Sequence, residues 1–210
     1  MKVYDCFMYF DEDLVLELRL NLLDKYVDYF VIVESKYNHK GEPKKLNFNI
    51  KNFKKFEKKI IYLVFDQEPS DLYKFEKKDT QADISSKYIF NAGKRENGQR
   101  NFISRGLKAA KSDDIIIISD VDEIPNLAGI NFNTIKNEII IFRHEMFYYK
   151  FNLKLPNYKW TGSKACKMKN LKSPQWLRNI KDKKFGFYRI DTFFSETKYR
   201  NLLIIDNGGW

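Results

Sequence analysis

The residues of this chain best suited to chemistry are Asp120, Asp122 and Glu123, in the run Ile115-Ile116-Ile117-Ile118-Ser119-Asp120-Val121-Asp122-Glu123. Four consecutive isoleucines favour a buried β-strand. Side chains alternate along a strand, so Asp120 and Asp122 share a face if the extended backbone continues through them. They then emerge at the carboxyl end of the strand, where open α/β sheets bind ligands. Two carboxylates so close repel, and one takes up a proton unless a cation sits between them. Mg²⁺ or Mn²⁺ removes that cost, prefers oxygen ligands and keeps room for water and substrate phosphate. The pattern therefore predicts a metal held by Asp120 and Asp122, with a diphosphate as its natural ligand. Glu123-Ile124-Pro125 fits an abrupt turn that holds the acids in place. The plainer alternative is that these acids cap that turn in water.

The elements that must position them follow from hydrophobic periodicity. Val3 to Phe10 reads as a first strand, and Asp11 or Asp13 suits the cap of a following helix in which Leu14, Leu18 and Leu22 recur at helical spacing. Tyr29 to Val33 is a continuous apolar run ending in Glu34-Ser35, as in strands buried on both faces. Residues 36–48, with Gly41 and Pro43, read as a loop, and Ile60 to Val64 as a third strand. Residues 68–94 are predicted to form a loop with a short helix, residues 97–110 a helix, and Ile115 to Ile118 the fourth strand. Alternating strands and helices predict a parallel α/β sheet. Beyond Pro125 the pattern changes to strands at 138–144 and 147–153, with another in 159–168. The expected organisation is one domain over 1–210, with a nucleotide half at about 1–125 and an acceptor half at about 126–210.

Composition narrows the function classes. The chain is 43% hydrophobic and 16% aromatic, enough for a real core. Its formal charge of +10 favours anionic partners, but the lysines are dispersed rather than gathered in the concentrated patch expected of a nucleic-acid binder. Cys6 and Cys166 match neither a disulfide framework nor a zinc spacing. No signal peptide or membrane-length apolar run is seen, so a cytoplasmic location is the expectation. His39 and His144 are isolated and read as non-ligands. One competing chemistry shares the local pattern: phosphatases of the haloacid dehalogenase type also place Asp-x-Asp after an apolar strand. That motif usually opens its chain and is followed by a small flexible pair, unlike Glu123-Ile124-Pro125.

Several segments together resemble glycosyltransferase family 17. They are Tyr4-Asp5-Cys6-Phe7, Glu17-Leu18-Arg19-Leu20, Val27 to Glu34, Gln99-Arg100-Asn101, Ile118 to Pro125, Phe147-Tyr148-Tyr149, Trp160-Thr161-Gly162 and Asn207-Gly208-Gly209-Trp210. The family includes enzymes that add a bisecting N-acetylglucosamine in β1,4 linkage to the core mannose of N-glycans, with bacterial and viral relatives. The resemblance implies a GT-A-like (Rossmann-like) α/β fold with a mostly parallel sheet flanked by helices. It also implies transfer of a sugar from a UDP-sugar, with inversion, to a glycan acceptor. It implies a chain continuing past Trp210, so a non-catalytic nucleotide-sugar- or glycan-binding relative is the alternative.

The implied chemistry distributes roles among residues. The metal on Asp122 and Asp120 bridges the diphosphate and stabilises the leaving charge. Arg100, with Asn101 beside it, is the first basic candidate for the nucleotide, at the predicted start of a helix whose dipole favours an anion. Glu34 closes the second strand and is a candidate for base or ribose. Inversion needs a general base near the acceptor. Glu145 and Asp206 rank ahead of Asp191 for that role. Tyr148 and Trp160 are candidates to stack on an acceptor sugar, with core packing as their alternative. Glu17 and Arg19 read as structural.

Overall fold

The computed structural model describes residues 1–148, 152–183, 185, 192 and 194–210. One eight-stranded sheet organises it, in the order β3-β2-β1-β4-β7-β5-β6, with β8 also paired to β5. The strands are β1 (Val3–Tyr9), β2 (Tyr29–Ser35), β3 (Ile60–Phe65), β4 (Ile115–Asp120), β5 (Ile139–Phe147), β6 (Lys154–Trp160), β7 (Lys164–Lys167) and β8 (Leu202–Gly209). The first four strands are mutually parallel, as their apolar runs predict. Past β4 the sheet turns mixed: β7 is antiparallel to β4 and β5, β6 is antiparallel to β5, and β8 is parallel to β5. The expected mostly parallel sheet thus holds for the first half only; in the second half the short β5–β6 connection makes a hairpin, which is antiparallel, and β7 enters antiparallel between β4 and β5.

Each face of the sheet has its own core. Helix α1 (Asp13–Leu23) lays Leu16, Leu20 and Leu23 on one face with Phe7, Phe30 and Ile117. On the other face Ile103 and Leu107, in a short 3₁₀ segment, pack with Val31, Ile116 and Ile118. Gly106 permits that approach, since a Cβ there would stand 2.6 Å from Val31 Cγ1. The Leu14-Leu18-Leu22 stripe that marks α1 in the sequence lies on its outer side, and Leu18 and Leu22 instead line a cleft. The helix opens after Glu12, whose carboxylate accepts the Phe10 and Asp11 N–H groups, so neither Asp11 nor Asp13 is its cap.

Three boundaries differ from expectation. Helix α2 runs from Gln81 to Phe102, so the short helix expected within 68–94 is the first part of a long one that joins the helix expected from 97. Thr80 and Asp83 form a reciprocal capping box, which starts it despite a weak apolar periodicity. Strand β5 continues through Phe147, and its hairpin partner begins at Lys154. Residues 149–151 of the strand expected at 147–153 lie outside the described residues. Residues 159–168 contain the end of β6 and all of β7.

Candidate functional site

The acid turn sits where β4 ends. Ile115 to Ile118 are fully buried and Asp120 is the last strand residue. The chain then turns: Glu123 N–H donates to the Asp120 carbonyl at 3.1 Å, and the Glu123 carboxylate accepts the Asp120 N–H at 2.7 Å. Asp120 and Asp122 therefore do not share a face through strand alternation, since the extended backbone stops between them. The turn brings both to the wall of one cleft of about 650 Å³.

Arg19 is the splint of this turn. It is fully buried on α1 and forms a two-pronged ion pair with Asp5 of β1, at 2.6 and 2.8 Å. Its Nη1 donates to the carbonyls of Asp120, Val121 and Glu123 at 2.9–3.1 Å, and its Nη2 to Ser119 Oγ at 2.5 Å. A planar guanidinium suits this because its five donors have a fixed geometry. The structural reading of Arg19 is thus explained by the contacts it makes.

Two further arginines meet the acids. Arg100 Nη2 lies 3.0 Å from Asp120 Oδ1, and Arg178 Nη2 lies 2.8 Å from Asp120 Oδ2. Arg178 also grips Glu123 with both Nη atoms, at 2.7 and 3.0 Å. It belongs to α3 (Pro174–Asn179), whose end is held by buried Lys164. Lys164 Nζ donates to the Arg178 and Ile180 carbonyls, and burial, helped by the Arg178 charge, brings its pKa down to about 8. Arg178 carries no motif that sequence reasoning could have used. Arg100 meets the predicted neighbour for a different reason than expected. It occupies the last turn of α2, so the helix dipole there disfavours an anion and its own charge does the work.

Asp122 differs from its neighbours. The arginines engage Asp120 and Glu123, and among the described residues none forms an ion pair with Asp122. Partial burial and then the Glu123 charge raise its pKa above the usual carboxylate value. No group of three or more His, Cys, Asp or Glu side chains among the described residues is arranged to hold a metal. The donor set therefore does not fit a closed protein cage. It fits the mode in which Mg²⁺ or Mn²⁺ takes one or two carboxylates and completes its shell with water and phosphate.

The remaining candidates fall in different places. Glu145 lines the cleft and is paired with Lys154 at 2.6 Å and with Lys159, and these lysines hold its pKa below the usual value. Trp160 lines the cleft and donates from Nε1 to Glu123 Oε1 at 2.6 Å. Tyr148 is half exposed outside the cleft lining, and its N–H donates to the Leu153 carbonyl across the β5–β6 turn. Asp206 lies on a separate surface with Arg143, 3.1 Å away, and is not brought to the acids. Asp191 lies outside the described residues.

Glu34 is fully buried, and its carboxylate accepts from Lys44 Nζ, the N–H groups of Asn47 and Phe48, and the Tyr62 hydroxyl. Four bonds saturate a carboxylate, so Glu34 holds the 44–48 loop and has no lone pair left for a ribose. Asn101 accepts the Gln175 N–H at 3.0 Å and so tethers the start of α3. His144 is buried beside the cleft between the Trp210 carbonyl at Nδ1, 3.0 Å, and the Ser163 N–H at Nε2, 3.4 Å. Burial lowers its pKa, and these partners suit a neutral ring.

Fold and site define a mixed α/β protein with an acid-lined cleft at the carboxyl end of a central parallel strand. The model of glycosyltransferase family 17 matches residues 1–175, and the chain belongs to that family. The mouse and human proteins named beta-1,4-mannosyl-glycoprotein 4-beta-N-acetylglucosaminyltransferase are each 27% identical over 196 residues, covering 85% of this chain. The chain spans 32% of the length of those relatives. A solved Francisella tularensis 2-C-methyl-D-erythritol 4-phosphate cytidylyltransferase aligns over 98% of this chain and 90% of its own at 9% identity. Its TM-score of 0.39 is too low to establish a shared fold. No helix among the described residues is long and apolar enough to cross a membrane.

Proposed function

We propose that this chain is a metal-dependent glycosyltransferase domain of GT-A type that moves a sugar from a UDP-sugar to a glycan acceptor with inversion. Family membership supports the reaction class. The observation that carries the metal and diphosphate is Asp122, a cleft-lining carboxylate without an ion-pair partner among the described residues, beside an Asp120 already fixed by two arginines. Asp122, with Asp120 beside it, would hold a divalent cation, which would offset the burial and the Glu123 charge that raise the Asp122 pKa. When bound, the ion neutralises charge on the departing nucleotide.

The chain's own residues then have definite tasks. Arg100 and Arg178 fix the Asp120 carboxylate, and Arg19 fixes the backbone beneath it. Trp160 presents its ring along the cleft for the acceptor sugar. Glu145 is the general base of this reading: it lines the cleft, as Asp206 does not, and its two lysines keep it ionised. UDP-N-acetylglucosamine is the first donor to test, since the similar mammalian proteins are named for N-acetylglucosamine transfer. The phosphatase reading has no support from the family that the chain belongs to.

Isothermal titration with UDP and Mn²⁺ tests the core of this reading. Binding should need the metal and fall below detection in Asp122→Ala. Metal-independent binding, or unchanged binding in Asp122→Ala, overturns the assignment.

A further inference from the structure

The Trp160-Thr161-Gly162 segment and the acid turn are distant in sequence, and they meet on one carboxylate. Glu123 Oε1 accepts from Trp160 Nε1 at 2.6 Å and from Arg178 Nη2 at 3.0 Å. Its Oε2 accepts from Arg178 Nη1 at 2.7 Å and from the Asp120 N–H at 2.7 Å. Arg178 Nη1 also donates to the Gly162 carbonyl, and its Nη2 reaches Asp120. Gly162 lies so close that a Cβ would stand 2.8 Å from Glu123 Cδ. The segment is thus seated on the Glu123 side chain, with no room for anything but glycine.

Four hydrogen bonds use the acceptor sites of a carboxylate, so Glu123 has none left for a cation. A two-pronged arginine pair is also stiff, because both partners are planar and charge-assisted. Resting on the transferase reading above, we infer that Glu123 and Arg178 are positioning residues that fasten the Trp160 wall to the donor-side aspartates. Filling the site at Asp120 and Asp122 is then felt at the ring against which the acceptor lies. Glu123, a third acid of the motif by sequence, serves the acceptor side and not the metal.

Fluorine NMR on protein labelled with 5-fluorotryptophan tests this, since the chain has three tryptophans and Trp160→Phe identifies the signal of interest. In the wild type, UDP with Mg²⁺ should shift the Trp160 resonance. Glu123→Gln and Arg178→Lys should each move that resonance before any ligand is added and abolish its response to UDP with Mg²⁺. Lysine keeps the charge but cannot make the fork. Calorimetric affinity for UDP with Mg²⁺ should fall by no more than about 10-fold in these variants, the small end of the effect of a partner behind a metal site. An unmoved, still responsive Trp160 signal in both variants overturns the inference. So does loss of UDP binding in Glu123→Gln as complete as in Asp122→Ala. Should Glu123→Gln fail to fold, Arg178→Lys carries the test. Wild-type protein that binds no UDP sinks the transferase reading and this coupling with it. Intact wild-type binding with a silent Trp160 sinks the coupling alone.

Discussion

Asp122 pays an electrostatic penalty for its place, and the sign of that penalty is testable. Its folded-state pKa is raised, first by burial and then by Glu123, so the folded protein holds that proton more tightly than the unfolded chain. Stability contributed by protonated Asp122 is present at low pH. It is lost as pH rises from the ordinary carboxylate range through the raised value. At neutral pH and without metal, Asp122→Asn should therefore stabilise the protein slightly, since the side chain is exposed and water screens much of the penalty. A urea titration checks this, and the gain should vanish when Mn²⁺ and UDP are present. Glu145 makes the opposite case. Lys154 and Lys159 depress its pKa, so the acid limb of a kcat/KM profile should lie below the usual glutamate value. Replacing both lysines with methionine should move that limb upward, and a profile unchanged by the double variant removes Glu145 from the role of base. Asp120, Asp122, Glu145 and Trp160, singled out in the sequence one by one as acids after a buried strand, a candidate base and an aromatic of the second half, line one cleft in the structure. Glu34 misled, because position at a strand end says nothing of the four donors that a later loop and a neighbouring strand would bring to it.

Among elements, α1 shows how a helix serves three purposes at once. Leu16, Leu20 and Leu23 fill the core, Leu18 and Leu22 line the cleft, and Arg19 holds the acid turn from below. The Arg19–Asp5 pair is wholly buried, and removing one partner of such a pair typically costs about 3–5 kcal/mol because the other charge is left without compensation. Arg19→Met should lower stability by that amount in chemical denaturation, and it should also weaken UDP binding through the loosened turn. Arg19 was readable as structural, but its grip on three carbonyls was not. Backbone acceptors carry no side-chain signal, and the turn that exposes them forms about 100 residues downstream in the chain. Helix α2 is one long helix where two were expected, and a capping box sets its start. The short α3 delivers Arg178, and no sequence spacing announces that contact, since it depends on how β7 and α3 fold back beside β4.

At the scale of the molecule, the parallel half of the sheet was legible because doubly buried strands write continuous apolar runs. The mixed half was less so, since β6 is exposed along its length and its strand pairing is set by the hairpin rather than by burial. The formal charge of +10 should draw a UDP-sugar by long-range attraction. Stopped-flow association of UDP with the Mn²⁺-loaded protein should slow several-fold between low salt and about 0.5 M, where screening acts within a few ångströms. An on-rate indifferent to salt would show that the distributed lysines do not steer. The cleft itself inverts this preference at one point, for Asp122 is an exposed carboxylate on its wall, without an ion-pair partner among the described residues, in a cationic molecule. Such an arrangement acts as a two-stage filter. The outer field gathers anions of every kind, while the inner carboxylate repels those that arrive bare and admits those that bring their own cation.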